Sequence, residues 1–228
     1  MELERILMKA FLKSIPKPII RYGLTAYILM IIVIIAWKPL SVFNLQARAG
    51  KEIETFIQEH ASQYADFFTC QIPALTELPG DGELDEVINL LEEARQARPK
   101  ASQTYLLLGK AYCLKGDFFG ALSAFDIFSQ LRQGNPLGEL ETGFAHFTAA
   151  LITPELRDVD RAAHEAQSRM IFEAQGYSYD YFIAEADAAF NRDAYPVAWY
   201  WYRLAGSFQP LPEEALIRVE FLDALFLE

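Results

Sequence analysis

The sequence predicts an all-α protein in which an N-terminal transmembrane helix is followed by a short α-solenoid of helical hairpins. Two observations lead to this fold class. Residues 19–37 are apolar with a single charge, as a membrane-spanning helix requires. From residue 82 onward, small and aromatic residues recur at helical spacing and are punctuated by glycine and proline. With 228 residues, of which 52% are hydrophobic, one span and one packed domain fit the chain.

Residues 1–18 predict a short basic amphipathic helix on the cytoplasmic side of the membrane, ended by Pro16 and Pro18. Its apolar residues share one helical stripe, and its basic residues fall mostly off that stripe. Such a helix can lie flat on an anionic leaflet. It can equally dock against a membrane partner, and both readings stay open. The stripe consists of Leu3, Ile6, Leu7, Ala10 and Phe11.

Residues 19–37 predict an uncleaved transmembrane helix that contacts membrane lipid. Arg21 can extend its charge to the headgroups, while Tyr22 and Trp37 lie where aromatic rings prefer the interface. Four basic residues precede the span and Arg21 lies at its start, against three basic residues after it, which favours a cytoplasmic N-terminus. We therefore expect a single-pass protein whose repeat domain is extracytoplasmic.

Residues 38–81 predict a linker and a lead-in helix. Pro39 is expected to end the membrane helix, and residues 49–69 carry apolar side chains at helical spacing. Prolines and glycines then predict a loop up to Gly82.

The two cysteines, Cys70 and Cys113, are too few for a disulfide framework and match no metal or redox motif. An oxidising compartment would permit a bond between them. We expect two separate buried thiols.

The charge is distributed unevenly along the chain. The net charge is −11, with +5 in residues 1–50 and −16 in the remainder. An acidic soluble part repels phosphate backbones, so we exclude nucleic acid as a partner. We expect no metal, nucleotide or other cofactor and no small-molecule ligand, because the three histidines are scattered and nucleophile motifs are absent from the sequence. We therefore expect no enzymatic activity.

The segment that begins at Tyr105 has a regular pattern of small, aromatic and turn residues. Gly109 is small enough to let a second helix approach, Gly116 can end the first helix in the left-handed conformation, and Asp117 can cap the next helix. A single hairpin of this kind cannot bury its apolar face alone and must stack on neighbours. The pattern includes Tyr105, Leu108, Gly109, Tyr112, Gly116, Ala121 and Phe125.

This pattern resembles the tetratricopeptide repeat, which has a period of about 34 residues. The same frame fits Ala198, Tyr202 and Pro210, if residues 153–161 form an inserted loop in a weak third repeat. The resemblance implies a tetratricopeptide-like domain over residues 82–228, ended by a closing helix after Pro212.

The resemblance also implies a partner-binding groove lined by the first helix of each hairpin. The outward residues Gln103, Leu106 and Lys110 are therefore candidate partner contacts. The lysine and asparagine set that clamps a terminal carboxylate in some family members is not evident in this sequence.

The aromatic run Trp199, Tyr200, Trp201 and Tyr202 cannot place all its rings on one helical face. We favour packing in the core for most of them. A protein interface and a glycan-stacking platform are the alternatives, so Trp199, Tyr200 and Trp201 are also candidate partner contacts.

These features predict a membrane-anchored protein-interaction adaptor, or an accessory subunit of a cell-envelope complex. The alternative is a glycan-binding envelope protein that uses the aromatic run.

Overall fold

The structure, a computed structural model, describes residues 17–79, 82–154 and 156–226, with the side chains of residues 17–29 and 32–39 outside that description. The chain divides into two compact units, Met1–Asn44 and Leu45–Glu228. Within the described residues, all regular secondary structure is helical, so the all-α prediction is confirmed.

Ten α-helices and two 3-10 turns make up the described part of the chain. The helices are α1 Lys17–His60, α2 Ile72–Leu75, α3 Gly82–Ala97, α4 Ser102–Leu114, α5 Phe118–Leu131, α6 Pro136–Ile152, α7 Asp158–Ala174, α8 Tyr179–Phe190, α9 Tyr195–Phe208 and α10 Glu213–Phe226. The two 3-10 turns, Ser62–Tyr64 and Thr69–Gln71, lie between α1 and α2.

The predicted transmembrane helix is contradicted. Across the residues that the structure describes, none of the helices combines the length and the apolar character needed to cross a membrane. Residues 19–37 lie inside α1, which passes through Pro39 without ending and continues to His60. The same finding contradicts the predicted localisation. That prediction was a single-pass membrane protein with a cytoplasmic N-terminus, an extracytoplasmic domain and lipid contact. An amphipathic helix was predicted for residues 1–18. Residues 1–16 of that segment lie outside the described residues.

The last part of α1 belongs to the helical domain. Its apolar residues Ala49, Ile53 and Phe56 are buried, while Lys51 and Glu54 on other faces are exposed. This alternation is that of an amphipathic helix packed on one side.

The segment after α1 differs from the predicted lead-in helix and loop. Instead of continuing to residue 69, α1 ends at His60, and the predicted loop contains the short helix α2. Pro73 lies in the first turn of α2, where its missing N–H group leaves no intrahelical bond unmade. Proline at this position is therefore compatible with a helix start, which the loop prediction overlooked.

The core of the domain consists of helical hairpins. Helix α4 packs against α5, α6 against α7, and α8 against α9, while α3 packs on α4 and α10 packs on α9. Helices α5 and α6 join the first two hairpins. This arrangement agrees with the predicted stack of hairpins, because each pair covers apolar surface that its neighbour would otherwise expose.

The close approach of α4 and α5 depends on Gly109. A Cβ atom at this position would lie 2.2 Å from the ring of Phe125, which is itself fully buried. Gly116 has a φ of 79° at the end of α4, and Asp117 accepts a hydrogen bond from the N–H of Gly120 at 2.9 Å. The sequence pattern predicts these roles: close helix approach at Gly109, a left-handed helix end at Gly116 and a helix cap at Asp117.

The junction between α5 and α6 contains the same kind of contact between a phenylalanine ring and a glycine. Here α5 again supplies the ring, and the glycine lies on the helix that follows it. The ring of Phe128 on α5 lies where a Cβ atom at Gly138 on α6 would be, at 2.2 Å. Gly138 has no side chain and so leaves room for the large ring of Phe128. Gly143 lies against the ring of Phe172, with contacts of 3.1–3.2 Å to an added Cβ.

The residues assigned to the repeat pattern occupy the following places. Tyr105, Leu108, Gly109, Ala121, Phe125, Ala198 and Tyr202 are buried, Tyr112 is half-buried, and Gly116 and Pro210 are exposed. The hydroxyl of Tyr105 also donates to the carbonyl of Pro99 at 2.9 Å. Tyr105 therefore joins α4 to the segment that follows α3.

Gly109→Ala should destabilise the domain by about 1–3 kcal/mol, because the new methyl group overlaps the ring of Phe125. The matched control is Gly50→Ala, another helical glycine, whose Cβ would meet only Leu107 at 3.9 Å. That control should gain about 0.5–1 kcal/mol from helix propensity. Urea denaturation of both variants measures the difference. Equal stability of the two variants would contradict the proposed contact.

Candidate functional site

Residues 61–79, here called the strap, cross the face of the helical domain. The 3-10 turn Thr69–Gln71 contacts α4 and α6, and helix α2 contacts α4, α6 and α9. The strap residues Thr69, Cys70, Gln71 and Ile72 are all buried. A short segment is therefore held against helices from three different hairpins.

A disulfide bond between Cys70 and Cys113 joins the strap covalently to α4. The expectation of two separate thiols was wrong, because the strap places Cys70 beside a helix that begins far away in the sequence. The bond closes a loop over a sequence separation of 43 residues. A loop of this size stabilises a fold by about 2–4 kcal/mol, chiefly through the unfolded chain.

The carboxylate of Glu141 on α6 is the polar centre of the contact. It is 1% exposed and accepts hydrogen bonds from the N–H groups of Thr69 and Cys70, each at 3.2 Å. The ammonium group of Lys110 lies 3.3 Å from the same carboxylate. Because these N–H groups begin a helical turn, they have no intrahelical acceptors and are free to bind an anion. A buried carboxylate with three donors is compensated for the loss of water.

Apolar contacts flank this polar centre. The rings of Phe68 in the strap and Phe144 on α6 have centroids 4.8 Å apart. Ile72 is completely buried, and Leu75 is 6% exposed. The strap thus combines one pair of backbone donors with apolar side chains on both sides.

The predicted groove residues on α4 lie as follows. Leu106 is buried, Lys110 pairs with Glu141, and Gln103 is exposed. These residues share one face of α4 with Cys113. The face that the sequence assigned to a partner therefore carries the attachment of the strap, and its role in partner binding stays a prediction.

The predicted aromatic contacts are buried. Trp199 and Trp201 are each 8% exposed and Tyr200 is 1% exposed. Trp201 stacks on Phe182 at 5.6 Å, and the hydroxyl of Tyr200 lies 3.0 Å from that of Thr148. Burial raises the pKa of Tyr200. The packing alternative is therefore the one that the structure favours, and these rings present no broad face for stacking a sugar.

The remaining polar groups of the run connect α9 with its neighbours. Trp199 donates its indole N–H to Asp223 at 2.8 Å, and Arg203 forms an ion pair with the same carboxylate. The hydroxyl of Tyr202 donates to Asp187, and burial is the first cause that raises the pKa of Tyr202 to about 12. These contacts fix α10 and α8 on α9.

A cavity and a cluster of possible metal ligands also lie on the domain. A cavity of about 710 Å³ between α6, α7, α9 and α10 has Trp199, Arg161 and Arg203 in its lining. Arg161 donates to the carbonyls of Ala150 and Thr153. Arg203 pairs with Asp223 through its terminal nitrogen, while its buried Nε atom has no hydrogen-bond partner among the described residues. Both guanidinium groups thus have partners within the domain, and we assign no ligand to this cavity.

Glu59, His60 and Glu83 form a group whose possible metal-ligand atoms lie within 4.8 Å of one another. His60 and Glu83 are already 3.3 Å apart as an ordinary surface pair, and Glu83 is largely exposed. Exposed acidic groups of this kind commonly occur without a metal ion, so we assign no site to this cluster.

His146 on α6 and His164 on α7 form a close pair, with their Nδ1 atoms 2.7 Å apart. One Nδ1 atom must donate and the other accept, so the pair disfavours a state in which both Nδ1 atoms carry a proton. Burial, followed by the nearby charge of His164, lowers the pKa of His146 to about 4. Burial also lowers the pKa of His164, against the opposing effect of Asp160.

The fold and this site define an all-helical domain of stacked hairpins that holds a segment of its own chain across several helices. No protein-family model, curated protein or solved structure shows a significant match to this chain. The resemblance to tetratricopeptide repeats therefore depends on the quoted residues and stays a prediction.

Glu141 is the residue of this site that the sequence reasoning missed. It lies at helical spacing with the buried residues Gly138, Ala145 and Thr148, at i−3, i+4 and i+7. A carboxylate within such a stripe must be compensated when it is buried. The buried stripe therefore indicates that Glu141 needs hydrogen-bond donors, but it does not indicate which residues supply them.

Glu141→Gln should lower the free energy of unfolding by about 1–3 kcal/mol, because the amide nitrogen of glutamine cannot accept an N–H hydrogen bond. Glu54→Gln makes the same change of charge at an exposed position of α1 and should alter stability by less than about 0.5 kcal/mol. Chemical denaturation measures both. A loss at Glu141 no larger than at Glu54 would show that the strap does not depend on this carboxylate.

The folded protein should lose stability as the pH falls from about 6.5 towards about 4. The folded-state pKa of His146 lies below its unfolded value, so the unfolded chain binds more protons in this window. His146→Asn removes this contribution, so the free energy of unfolding of the variant should change less with pH. Denaturation at about pH 5 and about pH 7.5, in both proteins, measures the difference. An unchanged pH dependence in the variant would exclude His146 as a source.

Proposed function

We propose that residues 45–226 form a protein-interaction module that acts as an adaptor or accessory subunit of a larger complex. The observation that carries the proposal is the strap itself. Its contacts with Glu141 and Phe144 use a pair of backbone N–H groups and an aromatic ring. Another protein segment can supply both groups, so this face has the chemistry of a segment-binding surface.

The arrangement of the helices supports the same function. Stacked hairpins present side chains from successive helices along one continuous face, which suits an elongated partner. The strap contacts the first helices of two hairpins, α4 and α6, and also α9. Participation of α9, the second helix of its hairpin, differs from the groove that the tetratricopeptide resemblance implies.

Glycan binding is not proposed as a second function. That alternative required an exposed stacking platform, and the rings of Trp199, Tyr200 and Trp201 are buried. A sugar would have to displace core contacts before it could stack on them.

Gln103→Arg should reduce co-purification of a protein partner from the source cells without changing the melting temperature. Gln103 is exposed on the face of α4 that carries Lys110, so a larger charged side chain should block access while leaving the core intact. Gln58→Arg makes the same substitution at an exposed position of α1 and should retain the partner.

The proposal predicts a different result for a core residue. Trp201→Ala should lower the melting temperature first, because removing a buried tryptophan costs about 3–5 kcal/mol. Retention of the same partner by Gln103→Arg, or absence of a specific protein partner, would overturn the proposed surface.

A further inference from the structure

The strap interacts with the domain in the manner of a bound segment. Its turn Thr69–Gln71 supplies donors to Glu141, and its side chains Phe68 and Ile72 fill apolar space. These contacts depend on the start of a helical turn and on apolar side chains close to it. They do not require that the segment belong to the same chain.

One buried polar side chain of the strap, Gln71, adds to these contacts. Gln71 is 1% exposed, and its Oε1 atom accepts a hydrogen bond from the N–H of Phe68 at 3.1 Å. Its amide group also interacts with the hydroxyl of Tyr200 on α9.

The disulfide bond adds a covalent link to these contacts. While Cys70 is joined to Cys113, the strap stays at high effective concentration beside its binding surface. A free segment cannot compete efficiently with a covalently attached one. Once the bond is broken, the strap is held by its hydrogen bonds to Glu141, its apolar contacts and its two chain connections.

We infer that the strap is an exchangeable occupant, and that reduction of the Cys70–Cys113 bond allows a partner protein segment to replace it. The partner segment presents two free backbone N–H groups at the first turn of a helix to Glu141, followed by apolar residues. This inference rests on the proposed function and adds the chemistry of the partner and its control.

The reducing step involves a dithiol reductant. One reductant thiolate attacks a sulfur of the bond, and the second thiolate resolves the mixed disulfide. Two electrons and two protons pass to Cys70 and Cys113, which become thiols, and the reductant becomes a disulfide. Because both cysteines are fully buried, the reductant reaches the bond only when the strap opens transiently.

Hydrogen exchange of the complete protein, oxidised and dithiol-reduced, tests the control of the strap. Reduction should speed exchange of residues 66–75 at least about tenfold while α5 and α9 remain protected. Unchanged exchange in the strap would overturn the inference. Loss of protection throughout the domain would also overturn it, because the bond would then stabilise the whole fold.

Disulfide trapping tests the exchange itself. In the Cys70→Ser protein, Cys113 is offered a synthetic peptide of residues 66–78 whose cysteine is activated as a 2-pyridyl disulfide. Attack by the Cys113 thiolate forms the peptide–protein disulfide and releases 2-thiopyridone. The control peptide carries Ile72→Asp and Leu75→Asp, and intact mass spectrometry measures both products.

The strap peptide should be trapped at least about tenfold faster than the control peptide, because it occupies the surface before it reacts. Adding Glu141→Gln to the protein should reduce that ratio. Equal trapping of the two peptides, or no trapping by either, would overturn exchange. If exchange fails while Gln103→Arg still loses its partner, the interaction module stands and only the exchange is wrong.

Discussion

The buried carboxylate of Glu141 is the constraint on which the arrangement of this domain most depends. An ion taken out of water must find donors, and α4 supplies the ammonium group of Lys110. The other two donors are backbone N–H groups, which are free where a helical turn begins. The strap accordingly places the turn Thr69–Gln71 over Glu141.

The apolar part of the core extends from the strap to α9 through touching aromatic rings. Phe144 contacts Phe68 on one side and Phe172 on the other, and Trp201 lies against both Phe144 and Phe182. Edge-to-face and offset contacts of this kind add to the stabilisation from burial. Consequently, the strap and the last hairpin share one core, and the aromatic run on α9 is explained by packing.

The local features of the hairpins could be predicted because they depend on neighbouring residues. Gly116 ends α4 and Asp117 caps α5, and both roles follow from residues within one turn. The strap could not be predicted in this way. Its Thr69 and Cys70 meet Glu141 across more than 70 residues of sequence, and Cys70 meets Cys113 across 43. Pattern within a short window carries no information about such partners.

The apolar run at residues 19–37 shows a different limit. Composition predicted where an apolar helix would lie, and Pro39 suggested where it would end. The helix instead runs on to His60, because proline within a helix removes one hydrogen bond but does not prevent neighbouring turns from forming. A boundary inferred from one residue type is thus weaker than a boundary supported by a cap, as at Asp117.

The Phe and Gly contacts of α5 determine the order of the hairpins. The ring of Phe125 packs against Gly109 on α4, and the ring of Phe128 packs against Gly138 on α6. Helix α5 therefore carries two large side chains, each of which needs a glycine on a different neighbouring helix. In a solenoid of identical repeats, units can be removed or duplicated because every junction is the same. Here each junction has its own shape, and deleting or transposing a hairpin would bring a ring against a side chain that leaves it no room. The chain is therefore built as a fixed sequence of unlike parts, whose number cannot be varied as freely as in a uniform array.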